Sequence, residues 1–328
     1  MKKTIYFFFI ITIITLPCCK NKKSEDSDFT HLNQLAKTIN TELQNAAKDI
    51  NDLALVFKYK IPFNKPVKWD STVYKVKSNR YYFTPDHKKT SSIYLPENVS
   101  LNDNLKKMII NSEVMDSLFI KYIHDNDFVQ QIYFLDTNSF LRIYPYTDVY
   151  NHLDKPFDLT KLCAYQKVYQ RPFIEDQSYW IETPYADFYG LGWIISCIEP
   201  VYYHDQFIGV LAADIPVYNF LKKYFSNESQ ILILTDEKGN VICTTQQGSK
   251  RLNIPMHQEL SYYKPVNLNL LQYNSPSLTK HQDKSIRKAV HKILEGSGKE
   301  FFHLDGKKHT IYKTEIEETN WLLLKIIY

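Results

Sequence analysis

Apolar side chains recur at steps of three and four through residues 29–58, as Leu32, Leu35, Ala36, Ile39, Leu43, Ala46, Ala47, Ile50, Leu53, Ala54 and Phe57. Asn, Gln, Lys, Glu and Asp fill the positions between them. The pattern predicts one amphipathic helix of roughly thirty residues, ~45 Å long. Ile61-Pro62 ends it, because the residue before a proline is pushed out of helical geometry. A second run of this period, at 103–124, places Leu105, Met108, Ile109, Met115, Leu118, Phe119 and Tyr122 on one face. It predicts a second helix, with Asp103 as its N-cap or first-turn acid.

From residue 129 the pattern changes to runs of β-branched and aromatic residues. Residues 129–135, the polar Asp136-Thr137-Asn138-Ser139 and residues 140–145 predict a hairpin, and residues 230–245 predict a second one of the same kind. Residues 180–184 read as short and extended. Residues 192–198 and 207–215 read as two strong strands, turned at Tyr203-His204-Asp205-Gln206. Pro216 opens a helix that runs to Tyr224. A helix over 278–294 ends at Gly296. Strands at 299–304, 310–316 and 321–327 close the chain, turned at Asp305-Gly306 and Glu318-Thr319-Asn320. Residues 62–100, 146–178 and 246–277 read as irregular connections. The fold class is α+β: a long helix (29–61), a larger mixed module (62–228) and a smaller one (229–328). The two hairpins form a structural repeat without sequence identity.

The start of the chain has a different character. Lys2 and Lys3 precede an apolar run from Ile5 to Leu16, which is short for a membrane span of ~20 residues and suits a signal peptide. The run ends Leu16-Pro17-Cys18-Cys19. A lipoprotein signal carries Leu at minus three, a small residue at minus one and then the lipidated Cys. Cys19 fits that register best; Cys18 would set Pro17 at minus one. Residues 1–19 are therefore expected to be a lipoprotein signal peptide with Cys19 lipidated. A plain secretory signal and an uncleaved anchor remain as alternatives. Residues 20–28 (KNKKSEDSD) read as a solvated tether. No later segment has eighteen uninterrupted apolar residues. The expected location is the bacterial cell envelope, lipid-anchored, periplasmic or at the cell surface. Cys163, Cys197 and Cys243 are odd in number and lack C-x-x-C spacing, leaving either one disulfide or three buried thiols.

Composition narrows the function. Of 328 residues only 8 are Gly, while 25 are Tyr and 19 are Phe, which suits aromatic strands better than a Gly-rich nucleotide site. The net charge is +4, and without Lys2 and Lys3 it falls to 38 basic against 36 acidic residues, too weak to argue for nucleic acid. The chain contains no G-x-S-x-G, H-E-x-x-H, Walker loop or G-x-G-x-x-G. His303 and His309, flanking a hairpin turn, are a weak metal pair at best. No catalytic residue, metal or cofactor is predicted, and the chain is not expected to be an enzyme.

The densest stretch is 179–215. Trp180 with Pro184-Tyr185-Ala186-Asp187, then Glu199-Pro200-Val201-Tyr202, then Gly209-Val210 with Ala213-Asp214-Ile215 follow in order. With the earlier Ile132-Tyr133-Phe134 and Arg142-Ile143-Tyr144-Pro145, this order resembles the double Cache (dCache) domain, the extracytoplasmic sensor module of bacterial chemoreceptors and sensor kinases. It is also similar to the Cache segment of calcium-channel accessory subunits. Tyr312 to Trp321 and beyond match the membrane-proximal half, so the resemblance covers about residues 29–328. It implies a stalk helix supporting two tandem PAS-like modules, each a mostly antiparallel sheet with flanking helices. It further implies that the membrane-distal module binds a small ligand, often an amino acid or amine, between its sheet and the loops over it.

Carried over residue by residue, Tyr185 and Asp214 match the family's partners for the ligand ammonium. Tyr169 falls where the Tyr of a Trp-Tyr pair should stand. Val168 replaces the Trp and Gln166 the Arg that forks the carboxylate, and Arg171 is close but out of register. An amine or neutral ligand is less affected by that loss. The expected pocket is Tyr169, Trp180, Tyr185, Asp187 and Asp214. From the residues alone, a carboxylate ending an apolar strand needs a partner. Asp214 reads equally as a cap on the helix from Pro216, whereas Trp180 reads more often as core and Asp187 more often as a brace of the turn near Gly190; Arg142 could reach the pocket but reads more readily as a solvated strand residue. Sensors of this family continue into a membrane span and a signalling domain, whereas this sequence stops after its last strand. It is expected to pass its ligand state to a membrane partner or to act as a retained binding module. A homodimer through the long helix is a further alternative, as is a Cache-fold scaffold without a small ligand.

Overall fold

A computed structural model describes residues 20–61, 66–77, 80–83, 90–149, 158–170, 178–187, 189–226, 229–255 and 275–327. The expected signal peptide with Cys18 and Cys19 lies outside these residues, as does Arg171. The first element, α1 (Lys20–Tyr59), begins inside the segment expected to be a tether. That segment holds no Pro or Gly to stop a helix. The stripe read from the sequence is buried, with Leu32, Ile39, Leu43, Ala46, Ile50 and Phe57 at 0% exposure. Both halves of the chain cover it, so the stripe is used within one molecule. No helix among the described residues is long and apolar enough to cross a membrane.

Three short strands occupy the stretch expected to be irregular: β1 (Tyr74–Lys77), β2 (Arg80–Phe83) and β3 (Ser92–Leu95). The single helix expected at 103–124 is two, α2 (Asp103–Asn111) and α3 (Met115–Asp125), joined by a 3₁₀ turn at Ser112–Val114. Ser112 Oγ bonds back to the Ile109 carbonyl at 3.0 Å, a local alternative to the helical ladder. Asn102 caps α2 through Leu105 N at 2.9 Å, leaving Asp103 as a first-turn acid.

The first sheet adds β4 (Gln131–Asp136), β5 (Leu141–Tyr144), β6 (Tyr179–Ala186), β7 (Trp193–Tyr203) and β8 (Gln206–Pro216). Its order is β1-β2-β3-β5-β4-β8-β7-β6, antiparallel throughout. A short helix, α4 (Cys163–Tyr169), lies in the expected 146–178 connection, and α5 (Val217–Tyr224) follows β8. The second sheet has β9 (Ile231–Thr235), β10 (Val241–Thr244), β11 (Lys299–Leu304), β12 (Lys307–Ile316) and β13 (Trp321–Ile327), in the antiparallel order β10-β9-β13-β12-β11. It carries α6 (Gln246–Leu252), in a stretch expected to be loop, and α7 (Lys284–Leu294), capped by Asp283.

The repeat has a shared physical basis. Asp136 Oδ1 accepts from the backbone N–H of Asn138 and Phe140, and Oδ2 from Asn138 Nδ2. Asp236 Oδ1 accepts from Lys238 and Asn240 N–H, and Oδ2 from Asn240 Nδ2. One carboxylate closes each hairpin turn by the same two backbone hydrogen bonds, with an Asn side chain added from a different position of the turn. Burial pushes the Asp136 carboxyl up to about 6 against those bonds.

The first sheet is apolar on both faces. Ile132 and Phe134 of β4 pack toward α1, while the alternate Tyr133 and Leu135 face a second cluster under α4. Such close packing leaves no room where β8 meets β4. A Cβ on Gly209 would stand 2.3 Å from the Leu135 carbonyl oxygen and 2.9 Å from Asp136 Cα. Gly209→Ala is therefore expected to lower stability by about 2–4 kcal/mol, read by urea denaturation. A loss below ~0.5 kcal/mol would show that the two strands are not held this close.

Arg142 corrects an expectation: it is 1% exposed, on the α1 side of the sheet, not a solvated strand residue. Its guanidinium donates to Ser112 Oγ (3.0 Å), Asp116 Oδ1 (2.8 Å) and the Ile109 carbonyl (2.8 Å), binding β5 to the α2–α3 junction. The two modules meet at the β12–β13 turn. Trp180 Nε1 donates to Glu318 Oε1 (3.2 Å), Trp321 Nε1 to the Glu182 carbonyl (3.1 Å) and Glu318 N to Asn40 Oδ1 of α1 (2.9 Å). Cys163, Cys197 and Cys243 are free thiols. His309 stacks on Phe302 at 5.2 Å between centroids, and no described group of three His, Cys, Asp or Glu could hold a metal ion.

Candidate ligand-binding site

The central strands of the first sheet set three polar side chains in one row. In register, Gln131 of β4 faces Asp214 of β8, and Asp214 faces Ser196 of β7. All three are buried, with Asp214 1% exposed. Ser196 Oγ donates to Asp214 Oδ1 at 2.5 Å, and Gln131 Nε2 to Oδ2 at 2.7 Å. The Tyr185 hydroxyl lies 2.6 Å from Ser196 Oγ. Because Ser196 gives its proton to the carboxylate, Tyr185 is the donor in that pair and its own oxygen lone pairs stay available. Gln131 Nε2 also reaches Asp187 Oδ1 at 3.3 Å, so one amide spans two carboxylates. Asp187 Oδ2 accepts from Leu191 N–H at 2.7 Å, bracing the turn that contains Gly190.

Above this row opens a cavity of about 260 Å³, lined by Tyr133, Tyr185, Asp187, Tyr189, Ile194 and Asp214 on the sheet side and by Lys161 to Ala164 opposite. Its size lies just under the ~300–1,000 Å³ of drug-sized sites, which suits a small metabolite. Burial, followed by the like charge of Asp187, pushes the Asp214 carboxyl up to about 7, against the hydrogen bonds from Ser196 and Gln131. Burial and then the neighbouring carboxylates raise the hydroxyls of Tyr133, Tyr185 and Tyr189 well above their ordinary value, so these stay neutral. A carboxylate floor with aromatic walls favours a cationic group, by charge and by cation–π attraction.

Three of the five residues expected to form a pocket meet here: Tyr185, Asp187 and Asp214. The other two do not. Tyr169 ends α4 69% exposed and stacks on Tyr165 at 6.2 Å between centroids. Trp180 lies on the opposite face of the sheet, in the core against α1 and the second module. Its β7 partner is Cys197, which faces that core, whereas Tyr185 pairs with Ile194 on the cavity side. Sequence reasoning missed Gln131, Ser196, Tyr133, Tyr189 and Lys161. The signal for Ser196 was present: a lone polar residue inside an otherwise apolar strand, in WIISCI.

Solved structures share the fold that carries this cavity. The ligand-binding domain of the Pseudomonas fluorescens chemoreceptor CtaA, solved with L-serine, matches with a TM-score of 0.52 at 15% identity, covering 93% of this chain and 98% of that one. The sensory domain of the Campylobacter jejuni chemoreceptor Tlp3, with isoleucine bound, matches at 0.51 and 14% identity, covering 95% and 97%. The chain has the double Cache fold. No protein-family profile and no curated protein matches the sequence. In double Cache terms the first sheet belongs to the larger module, and the cavity lies between that sheet and the segment crossing it.

Proposed function

We propose that this double Cache protein is an extracytoplasmic binding protein of the sensor type, lipid-anchored through Cys19, that takes a small amine-bearing metabolite into its larger module. The ligand class is an amino acid or an amine. The observation that carries the reading is Asp214: a buried carboxylate at the floor of an open, aromatic-walled cavity. A ligand ammonium would reach Asp214 and Tyr185, lower the carboxyl from about 7 and lie against the tyrosine faces. The chemoreceptor domains that share the fold were solved with amino acids bound, which agrees with this class. The reading is of binding, not catalysis, because Ser196 is fully buried and its proton is committed to Asp214. Signalling would pass to a membrane partner.

The test is a thermal-shift screen of the purified protein against amino acids, amines, purines and small carboxylates. A ligand at 100 times its dissociation constant stabilises by about 2.7 kcal/mol, a shift of a few degrees. Only amine-bearing compounds are expected to give it. No shift from any of them, in a sample that melts cooperatively, would favour the scaffold reading. Within the 146–178 connection, residues 161–164 border the cavity.

A further inference from the structure

The second module is basic where the rest of the chain is not. Residues 229–328 carry 14 Lys and Arg against 10 Asp and Glu, whereas residues 20–228 carry 24 against 26. Part of this charge collects at one end of the module, and the contacts with α1 show which end it is. Asp28 Oδ1 accepts from Lys325 Nζ of β13 at 2.9 Å, and Phe29 lies 6.0 Å from Tyr312 of β12 between ring centroids. Further along α1, Asn40 meets Glu318 at the β12–β13 turn. Helix α1 and strand β12 therefore run in the same direction. Traced back from Asp28 and Tyr312, α1 extends ~12 Å to Lys20 and β12 roughly 17 Å to Lys307. The tip of the β11–β12 hairpin and the start of α1 thus lie at the same end. At this tip Lys307 and Lys308 are exposed. Lys284 opens α7 beside them, because Ser285 Oγ accepts from His303 N–H at 2.9 Å and His303 pairs with Lys308. Phe301 is 47% exposed, with Lys308 Nζ 4.0 Å and Lys299 Nζ 5.4 Å from its ring centroid. Of the nearby acids, Asp283 caps α7, Glu300 pairs with Lys292 at 3.2 Å, and Asp305 is exposed. Residues 20–28 hold three Lys and three acids, so they neither add to this charge nor cancel it.

We infer that the β11–β12 tip is a docking surface for a bilayer bearing anionic headgroups, with Lys284, Lys307 and Lys308 on the headgroups and Phe301 at the edge of the acyl region. The occupant follows from where the chain outside the described residues ends, so the inference rests on the reading of Cys19 as lipidated. A lipid on Cys19, next to Lys20, sets a membrane at the level of the tip. An exposed aromatic ring among lysines is the composition of an interfacial contact. Each lysine near an anionic surface is worth about fivefold in occupancy. A lipid alone is a single pivot. The tip supplies a second point of contact and so fixes the orientation of the module on the membrane.

The experiment is lysine acetylation footprinting, read by mass spectrometry. The full chain, expressed in a bacterial host and purified in detergent, is reconstituted in vesicles of phosphatidylcholine, alone or in an equimolar mixture with phosphatidylglycerol. The expected result is that Lys284, Lys307 and Lys308 react about fivefold more slowly in the anionic vesicles. Lys222 on α5 and Lys238 in the β9–β10 turn, at the opposite end of the second sheet, are exposed and should react alike in both lipids. High salt should remove the difference. Replacing both tip lysines, Lys307→Gln and Lys308→Gln, should restore most of the reactivity of Lys284. Equal rates at the tip in the two lipids, or protection that spreads to Lys222 and Lys238, would overturn the inference. So would slow reaction of the tip in both lipids and in detergent, which would mark a protein partner instead. A full chain that fails to float with the neutral vesicles would overturn the lipid anchor, and the tip would still be read on anionic vesicles added to the soluble chain.

Discussion

Asp214→Asn should abolish the response to every amine-bearing ligand and at the same time make the empty protein more stable above pH 7. The two effects have one cause. In the unfolded chain this carboxyl titrates near 3.8, whereas in the folded chain burial and Asp187 hold it up to about 7. Folding therefore favours the protonated form, and the native state binds more protons than the unfolded state between those values. The resulting stability is fully present below about pH 4, is lost progressively as pH rises, and is gone above about 7. A shift of three units corresponds to something on the order of 4 kcal/mol. Urea denaturation of the ligand-free protein at pH 5 and pH 8 should show the fall, and Asp214→Asn should flatten it. Asp136, with its own carboxyl raised to about 6, contributes a remainder of the same sign that the variant does not remove. A wild-type protein more stable at pH 8 than at pH 5 would contradict the assignment. So would retained ligand response in Asp214→Asn.

Arg142→Ala should be among the most damaging single changes, at about 3–5 kcal/mol, without altering any cavity contact. The substitution removes a guanidinium that is 1% exposed and leaves Ser112 Oγ, the Ile109 carbonyl and Asp116 without their donor. The denaturation midpoint should move while the slope stays constant. Arg142→Met, which fills most of the same space, should cost less than Ala because the cavity term disappears. A loss under ~1 kcal/mol for Arg142→Ala would mean that water takes over all three bonds.

The comparison of sequence with structure turns on strand parity. The long helix was legible because its stripe spans eight turns and nothing breaks the period. The hairpins were legible because Asp-led turns separate strongly apolar runs. Within β6, however, Trp180 and Tyr185 stand an odd number of residues apart. In a regular strand that alone places them on opposite faces, so they could not both enter one pocket. The register shift between Ile181 and Tyr185 changes the pairing with β7 but keeps these two residues on the cavity side of the sheet and Trp180 on the other. Arg142 was misread for a related reason. A charged residue on a strand suggests a solvated face, and only the three-dimensional packing of α2 and α3 over β5 shows that both faces are covered. Lys161 was invisible because a one-turn helix within a long connection has no period to detect.

Helix α1 also fixes how far the start of β6 stands from the first described residue. From Lys20 to Ala47, whose carbonyl accepts from Ser178 Oγ beside the start of β6, the helix rises roughly 40 Å. At physiological ionic strength the potential of a charged surface decays within ~8 Å. A surface met at the helix's N-terminal end is thus several screening lengths from the start of β6, the strand that carries Tyr185 into the cavity lining. Anionic headgroups there would neither enrich cationic ligands at the cavity nor perturb the titration of its floor. A site of the proposed kind would sample the bulk composition of the surrounding fluid, with its selectivity set by its own lining.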